Sequence, residues 1–169
     1  MKRIMVIGCC GAGKSTFAKD LHSKLQLPLI HLDQHYWKPG WIESEPEEWA
    51  HKVRQLAQGE QWIIDGNYGG TLDIRLERAD TIIYLDASTA KALFRVLKRT
   101  FTNFGKVRPD MPAGCPERFS WEFLHYVFTF NWSKRAKILH LLATQPKSKA
   151  IHFLKSNTSI QHFLKNLSS

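Results

Sequence analysis

The feature that most constrains this chain is the stretch "IMVIGCCGAGKSTFAKDL", residues 4–21. An apolar run breaks into glycine and cysteine, then resumes in helical periodicity around a lysine. Within it Gly8-x-x-x-x-Gly13-Lys14-Ser15 satisfies the full Walker A spacing, placed where its mechanism requires, after a predicted strand and before a predicted helix. Glycines at 8, 11 and 13 let the backbone curl with its N–H groups turned inward, where a Cβ would crowd a phosphate or forbid the dihedrals. Ser15 and Thr16 open the helix, whose free amides and dipole favour an anion. Lys14 is expected to reach the β- and γ-phosphates, and the Ser15 hydroxyl to ligate Mg²⁺. The loop from Gly8 through Ala12 to Thr16 is therefore the expected site for ATP with Mg²⁺. Cys9 and Cys10 fill free positions of the loop as small residues.

The rest of the chain has to supply a sheet behind that loop. Short apolar runs at "RIMVI", "LPLIHLD", "QWIIDG", "DTIIYLD" and "KAIHFL" alternate with amphipathic stretches, the pattern of an α/β fold whose parallel sheet is covered on both faces. A capping box at Ser44 and Glu47, with Pro46 in the first turn and Gly59 at the stop, marks one helix. Residues 89–102 mark a second, with Leu93, Val96, Leu97 and Phe101 on an apolar side and Lys91, Arg95 and Arg99 on a positive one. Residues 118–143 stay helical, with a candidate interruption at "FNWSKR". At 169 residues the chain fits one domain. Its three cysteines suit neither a disulfide framework nor a zinc cage, and no segment reads as a signal peptide or a membrane span. A cytoplasmic protein, monomer or homodimer, is the expectation. The net charge of +9 favours anionic partners, which covers both nucleotides and nucleic acid.

A bound triphosphate needs carboxylates near the strand ends. Asp65, after "WII", is the expected partner of Mg²⁺ or its water shell, alongside Ser15. Asp86 stands where it would cap the next helix. His31, Asp33 and His35 would face one way on an extended chain, but the chain leaves the strand near Asp33, which disfavours a metal there. Asp33 is instead expected at the acceptor, orienting or deprotonating a hydroxyl. Trp37, with Tyr36 and Trp41, either stacks on a ring or simply packs. Arg95 and Arg99 lie one turn apart, and Lys106, Arg108 and Arg118 follow in a proline- and glycine-containing loop. Such a basic segment, within 102–137, has the makings of a lid over phosphates.

The Walker A loop, "HLD" ending the second strand, "IIDGNY" ending the third and "LFRVLKR" after the fourth together resemble the adenylate kinase-like branch of P-loop kinases. More narrowly, "IHLDQHYWKPGW", "WIIDGNYGGTLDIRL", "ADTIIYLD" and "RPDMPAGCPERF" resemble the DNA topology modulation protein (FlaR-related) family. The resemblance implies a P-loop NTPase three-layer sandwich, its five-stranded parallel sheet in the order 2-3-1-4-5. It further implies a kinase that moves the γ-phosphoryl of Mg-ATP to a small nucleoside-, nucleotide- or sugar-like acceptor near Asp33 and Asp65. A nucleic-acid-associated ATPase is the alternative. Lid arginines map onto Arg95 and Arg99, with Arg135 a third, and Ser156 and Asn157 would lie beside the base. Where adenylate kinases follow "DG" with Phe-Pro-Arg, this chain has Asn67, Tyr68 and Gly69; Asn67 and Tyr68 then become acceptor candidates, and Arg75 is the arginine that could compensate from the next turn.

Overall fold

Ile4 to Ile7, the apolar run ahead of the loop, forms most of strand β1 (Arg3–Gly8), and this strand is the centre of the sheet. The computed structural model describes residues 1–167. To one side of β1 lie β5 (Trp62–Asp65) and then β2 (Leu29–His31); to the other lie β6 (Thr81–Leu85) and then β7 (Ala150–Leu154). Every pairing in this sheet is parallel. Counted among themselves in chain order, its strands run 2-3-1-4-5, as the resemblance implied. The two intervening strands, β3 (Trp37–Lys38) and β4 (Ile42–Glu43), make a separate antiparallel hairpin. The aromatic stretch at 36–41 gives no alternating pattern from which that hairpin could be read.

Because strand side chains alternate between faces, β1 feeds two cores. Ile4 and Val6 join Ile63 and Ile83 against Phe17, Ala18 and Leu21 of α1 (Lys14–Leu25) and Leu164 of α8 (Asn157–Asn166). Met5 and Ile7 face the other way, onto Trp49 and Val53 of α3 (Pro46–Ala57), Leu72 and Leu76 of α4 (Leu72–Arg78) and Leu142 of α7 (Arg135–Ala143). Each such fully buried aliphatic or aromatic side chain contributes about 1.5–3 kcal/mol relative to exposure. A smaller cluster, with Cys9, Ala92, Val96, Val127 and Phe130, joins the phosphate loop to α5 (Thr89–Asn103) and α6 (Trp121–Ser133).

Three local expectations change. Ser44 does not cap α3: its hydroxyl donates to the Tyr36 carbonyl at 2.6 Å, Glu45 occupies the cap position, and Pro46 sets the first turn. Asp86 does not cap α5, because Ser88 accepts the Lys91 amide there and Asp86 is held by Arg135. On α5 the buried side is Ala92, Val96 and Thr100, so Phe101 is 75% exposed while Arg95 and Arg99 turn inward. The phase of the helix follows the small residues that fit against α6 and not the largest apolar ones. At "FNWSKR" the helix does break, with Lys134 between α6 and α7.

Candidate active site

The turn from β1 into α1 has no freedom for side chains at two of its glycines. Gly8 has φ 145° and a Cβ there would lie 2.3 Å from the Leu85 carbonyl oxygen; Gly11 has φ 80° and would meet that of Ala92 at 2.4 Å. Gly13, at φ 98°, is the left-handed cap from which α1 starts at Lys14. The loop is braced from outside as well. Asn67 accepts the Gly8 amide at 3.0 Å and donates to the Gly8 carbonyl at 2.7 Å, and Arg95 donates to the Ala12 carbonyl at 2.9 Å. Lys14 lies back over the loop, its Nζ donating to the Cys9 carbonyl at 3.2 Å. Burial pushes the Cys9 thiol up to about 12, aided by Cys10 and against Lys14, so this cysteine is a packing residue and not a nucleophile.

Loop, strand ends and basic helices open on one cleft of about 1410 Å³. Of the residues singled out from the sequence, Gly11, Ala12, Gly13, Lys14, Ser15, Thr16, Asp33, Trp37, Asp65, Asn67, Tyr68, Arg95, Arg99 and Asn157 all line it. Gly8 lies behind the loop. Asp33, at the start of the short helix α2 (Asp33–Tyr36), accepts the Tyr68 hydroxyl at 2.5 Å. Burial pushes its carboxyl above the ordinary value, while the Tyr68 hydroxyl and the Lys14 charge pull the other way. Burial and Asp33 both raise the Tyr68 phenol, which keeps it a donor. Tyr68 adopts a left-handed φ of 40° just before a short 3-10 turn, Gly69–Thr71. Asp65 and His31 stand opposite each other in register and are joined at 2.8 Å, both buried. The alternation of His31, Asp33 and His35 on one side ends here, since α2 begins at Asp33. Trp37 packs edge-on to Tyr36 and Trp41 while still lining the cleft.

Three expectations fail on geometry. Arg75 is completely buried and is a structural staple: its guanidinium donates to the Gly66 carbonyl at 2.7 Å and also to those of Asn67 and Tyr68. It holds the chain after β5 and has no free edge to offer an acceptor. Arg135 makes a two-pronged pair with Asp86, at 2.9 and 2.7 Å, and does not line the cleft. The Ser156 side chain belongs to a capping box with Ser159 at the start of α8. Its neighbour Asn157 is held at the cleft rim by Lys91 and Arg95, at 3.1 and 3.2 Å.

The residues that sequence reasoning missed are acidic ones inside the basic segment. Glu117, 5% exposed, accepts from Arg99 at 3.1 Å, from Arg108 at 2.8 Å and from the Thr100 hydroxyl at 3.1 Å. Arg108 also donates to Asp110 at 2.7 Å. The same segment is hooked to the β3–β4 hairpin: Trp41 Nε1 donates to the Pro116 carbonyl at 3.0 Å, the Gly40 amide to the Gly114 carbonyl at 2.9 Å, and Arg118 lies over the Trp41 ring. The only signal in the sequence is a pair of carboxylates, each directly after a proline, in a stretch otherwise positive.

A phosphate loop on the central strand of a 2-3-1-4-5 parallel sheet, facing convergent arginines, defines a P-loop phosphotransferase. No family model matches the chain. A shikimate kinase from Baumannia cicadellinicola subsp. Homalodisca coagulata is 30% identical over 132 residues, 69% of this chain and 73% of that protein. One from Rhodococcus jostii (strain RHA1) is 31% identical over 130 residues, 69% of this chain and 74% of that one. The chain belongs to the P-loop kinase family that includes these shikimate kinases. Its fold is also that of two solved structures: a shikimate kinase from Acinetobacter baumannii in complex with shikimate (TM-score 0.61, 13% identity, 99% of this chain and 90% of that one) and a candidate kinase from Chloroflexus aurantiacus (TM-score 0.57, 17% identity, 97% and 95%). Among the described residues no helix is long and apolar enough to cross a membrane.

Proposed function

We propose that the chain transfers the γ-phosphoryl group of ATP to a hydroxyl of a small, ring-containing acceptor seated beside Asp33. The observation that carries this reading is that Lys14 and Ser15 of the phosphate loop open on the same cleft as Asp33, whose carboxyl burial makes more basic than usual. The donor set suits a polyphosphate with its metal. The loop amides, Lys14, Arg95 and Arg99 bind the phosphates, and Ser15, with Asp65 toward the water shell, holds Mg²⁺, which when bound neutralises charge on the transferring group. Asp33 receives the proton of the acceptor hydroxyl as that oxygen bonds to the γ-phosphorus and the bond from phosphorus to the bridging β-γ oxygen breaks. Tyr68 orients Asp33 by its hydrogen bond.

Trp37, Trp41 and Tyr68 offer ring faces on the acceptor side, and Lys134 and Lys137 offer positive charge. With Arg75 engaged by backbone carbonyls, that side has no floor arginine for a nucleoside monophosphate. A hydroxylated ring bearing a carboxylate, the chemistry of shikimate, fits better, and a nucleoside or sugar comes next. We keep the chain in the FlaR-related branch on the stretches quoted above, but a function has to be argued from its site. Here the positive charge gathers in the nucleotide cleft, with Arg95, Arg99, Arg108, Arg118, Lys134 and Lys137 all lining it, which supports the kinase over a nucleic-acid ATPase. The test is a panel of shikimate-like acids, sugars, nucleosides and nucleoside monophosphates with γ-labelled ATP. Label transfer to a non-phosphorylated hydroxyl compound is expected; no acceptor-dependent turnover with any member overturns the reading.

A further inference from the structure

The side of α5 and α6 turned away from the cleft is aromatic and bare. On α5, Phe94 and Phe101 are 67% and 75% exposed; on α6, Trp121, Phe128 and Trp132 are 77%, 46% and 70% exposed. None of the five lines the cleft, which takes Arg95 and Arg99 from α5 and Phe123 and Tyr126 from α6. We propose that this face is a dimer interface, covered by the same face of a second copy of the chain.

The rings fall where a helix seam needs them. Trp121, His125, Phe128 and Trp132 stand at i, i+4, i+7 and i+11 and so share one side of α6, while Phe94 and Phe101 are seven residues apart on α5. Asn131, near the end of α6, donates to the Thr89 hydroxyl at the start of α5 at 2.9 Å, and Phe123, near the start of α6, lies under Arg99 toward the end of α5. The two helices are therefore antiparallel. That brings Phe128 and Trp132 beside the Phe94 end of α5 and Trp121 beside the Phe101 end, so the two stripes make one continuous face. The inner sides of the pair are already used, with Ala92 and Val96 packed among Val127 and Phe130. The outer rings are ordered among themselves: Phe128 meets Trp132 edge-on, with centroids 5.0 Å apart.

Five side chains of this size, exposed to those fractions, present about 500–800 Å². The largest patch on a typical monomer is about 300–600 Å², and each partner in a standard interface buries roughly 800 Å². Charge selects the occupant. Arg95, Arg99 and Lys134 face the cleft, which leaves Lys98 and His125 among the rings, too little positive charge for an anionic lipid surface or a nucleic acid. A face this apolar and this poor in charge is complementary to itself, and aromatic-rich, charge-poor surface is what homodimers bury. A twofold axis across the helix pair sets four helices together, ring against ring, as in a bundle.

Sedimentation velocity of the wild type, Phe101→Glu and Trp132→Glu over about 1–100 µM tests this. The wild type should sediment as a dimer in the upper part of that range. Each substitution, at an exposed position, should leave the circular dichroism spectrum intact and weaken self-association at least about 30-fold, the scale of an interface hot spot. Acrylamide quenching of the wild-type tryptophan fluorescence should weaken as the protein is concentrated through its dissociation constant, a readout that needs no variant to fold. A wild type that stays monomeric throughout overturns the proposal, as does a dimer that both variants leave unchanged. Co-sedimentation of a monomeric wild type with phosphatidylglycerol vesicles also overturns it, by making the face a lipid contact.

Discussion

The phosphate loop and residues 104–120 line one cleft yet are held by different forces. The loop is a backbone object: left-handed glycines, an Asn67 amide tied to both polar groups of Gly8, and carbonyls gripped by Arg95. The segment is a side-chain object: a buried carboxylate, Glu117, between two guanidiniums, and a few hooks to the β3–β4 hairpin. Backbone geometry of the first kind survives whatever else moves. Ion pairs of the second kind can exchange their partners for phosphates, as the lid expected from the sequence would require.

The contrast can be broken from either side. The largest effect on stability is expected from Arg75→Met, which strips the buried donor from the carbonyls of Gly66, Asn67 and Tyr68 behind the loop. Buried acceptors left unsatisfied cost about 1–3 kcal/mol each, so urea denaturation should show a loss of about 3 kcal/mol or more. A loss near zero would mean that the chain after β5 is not fixed from behind.

Glu117→Gln strikes these ion pairs, and its effect should be mainly functional. The KM for ATP should rise about 10-fold, with kcat less affected and global stability lowered by about 1.5–3 kcal/mol, the scale of a hydrogen bond to a charged group. An unchanged KM with a large loss of stability would make Glu117 a core residue and not part of a cover.

The smallest effect belongs to Asp80, at the opposite end of the sheet. Burial raises its carboxyl, but the Thr81 hydroxyl and the backbone amides of Arg3 and Lys2 outweigh that and hold it below its ordinary value. A depressed folded value means stabilisation that is present above the unfolded carboxylate range and lost as pH falls through the folded one. Asp80→Asn should therefore cost about 1 kcal/mol or less near neutrality, and the difference from wild type should shrink in acid. A difference independent of pH would assign the effect to packing.

Legibility in the sequence follows the same division. The loop and the strand runs were readable because glycine spacing and apolar periodicity act over a few neighbouring residues; the order of the strands came only with the family resemblance. The cleft position of Lys14 followed from its motif and those of Asp33 and Asp65 from where the strands end, while Arg95 and Arg99 were placed by the family resemblance. Roles that depend on which partner the tertiary fold brings to a buried charge were not readable. Nothing local tells that Arg75 will point into three carbonyls, that Arg135 will find Asp86 49 residues away, or that Glu117 will clasp Arg99 and Arg108. In each case burial demanded a partner for a charge, and the tertiary fold chose which.

The central claim is that the loop amides and the Lys14 ammonium hold a triphosphate for transfer. Calorimetric titration of ATP into Lys14→Ala, with turnover measured on the acceptor found for the wild type, tests it most directly. The account predicts an affinity lowered at least about 10-fold and turnover lowered by about 10²–10³-fold, the scale of a lost donor to transition-state charge. Wild-type affinity and turnover in that variant would contradict it.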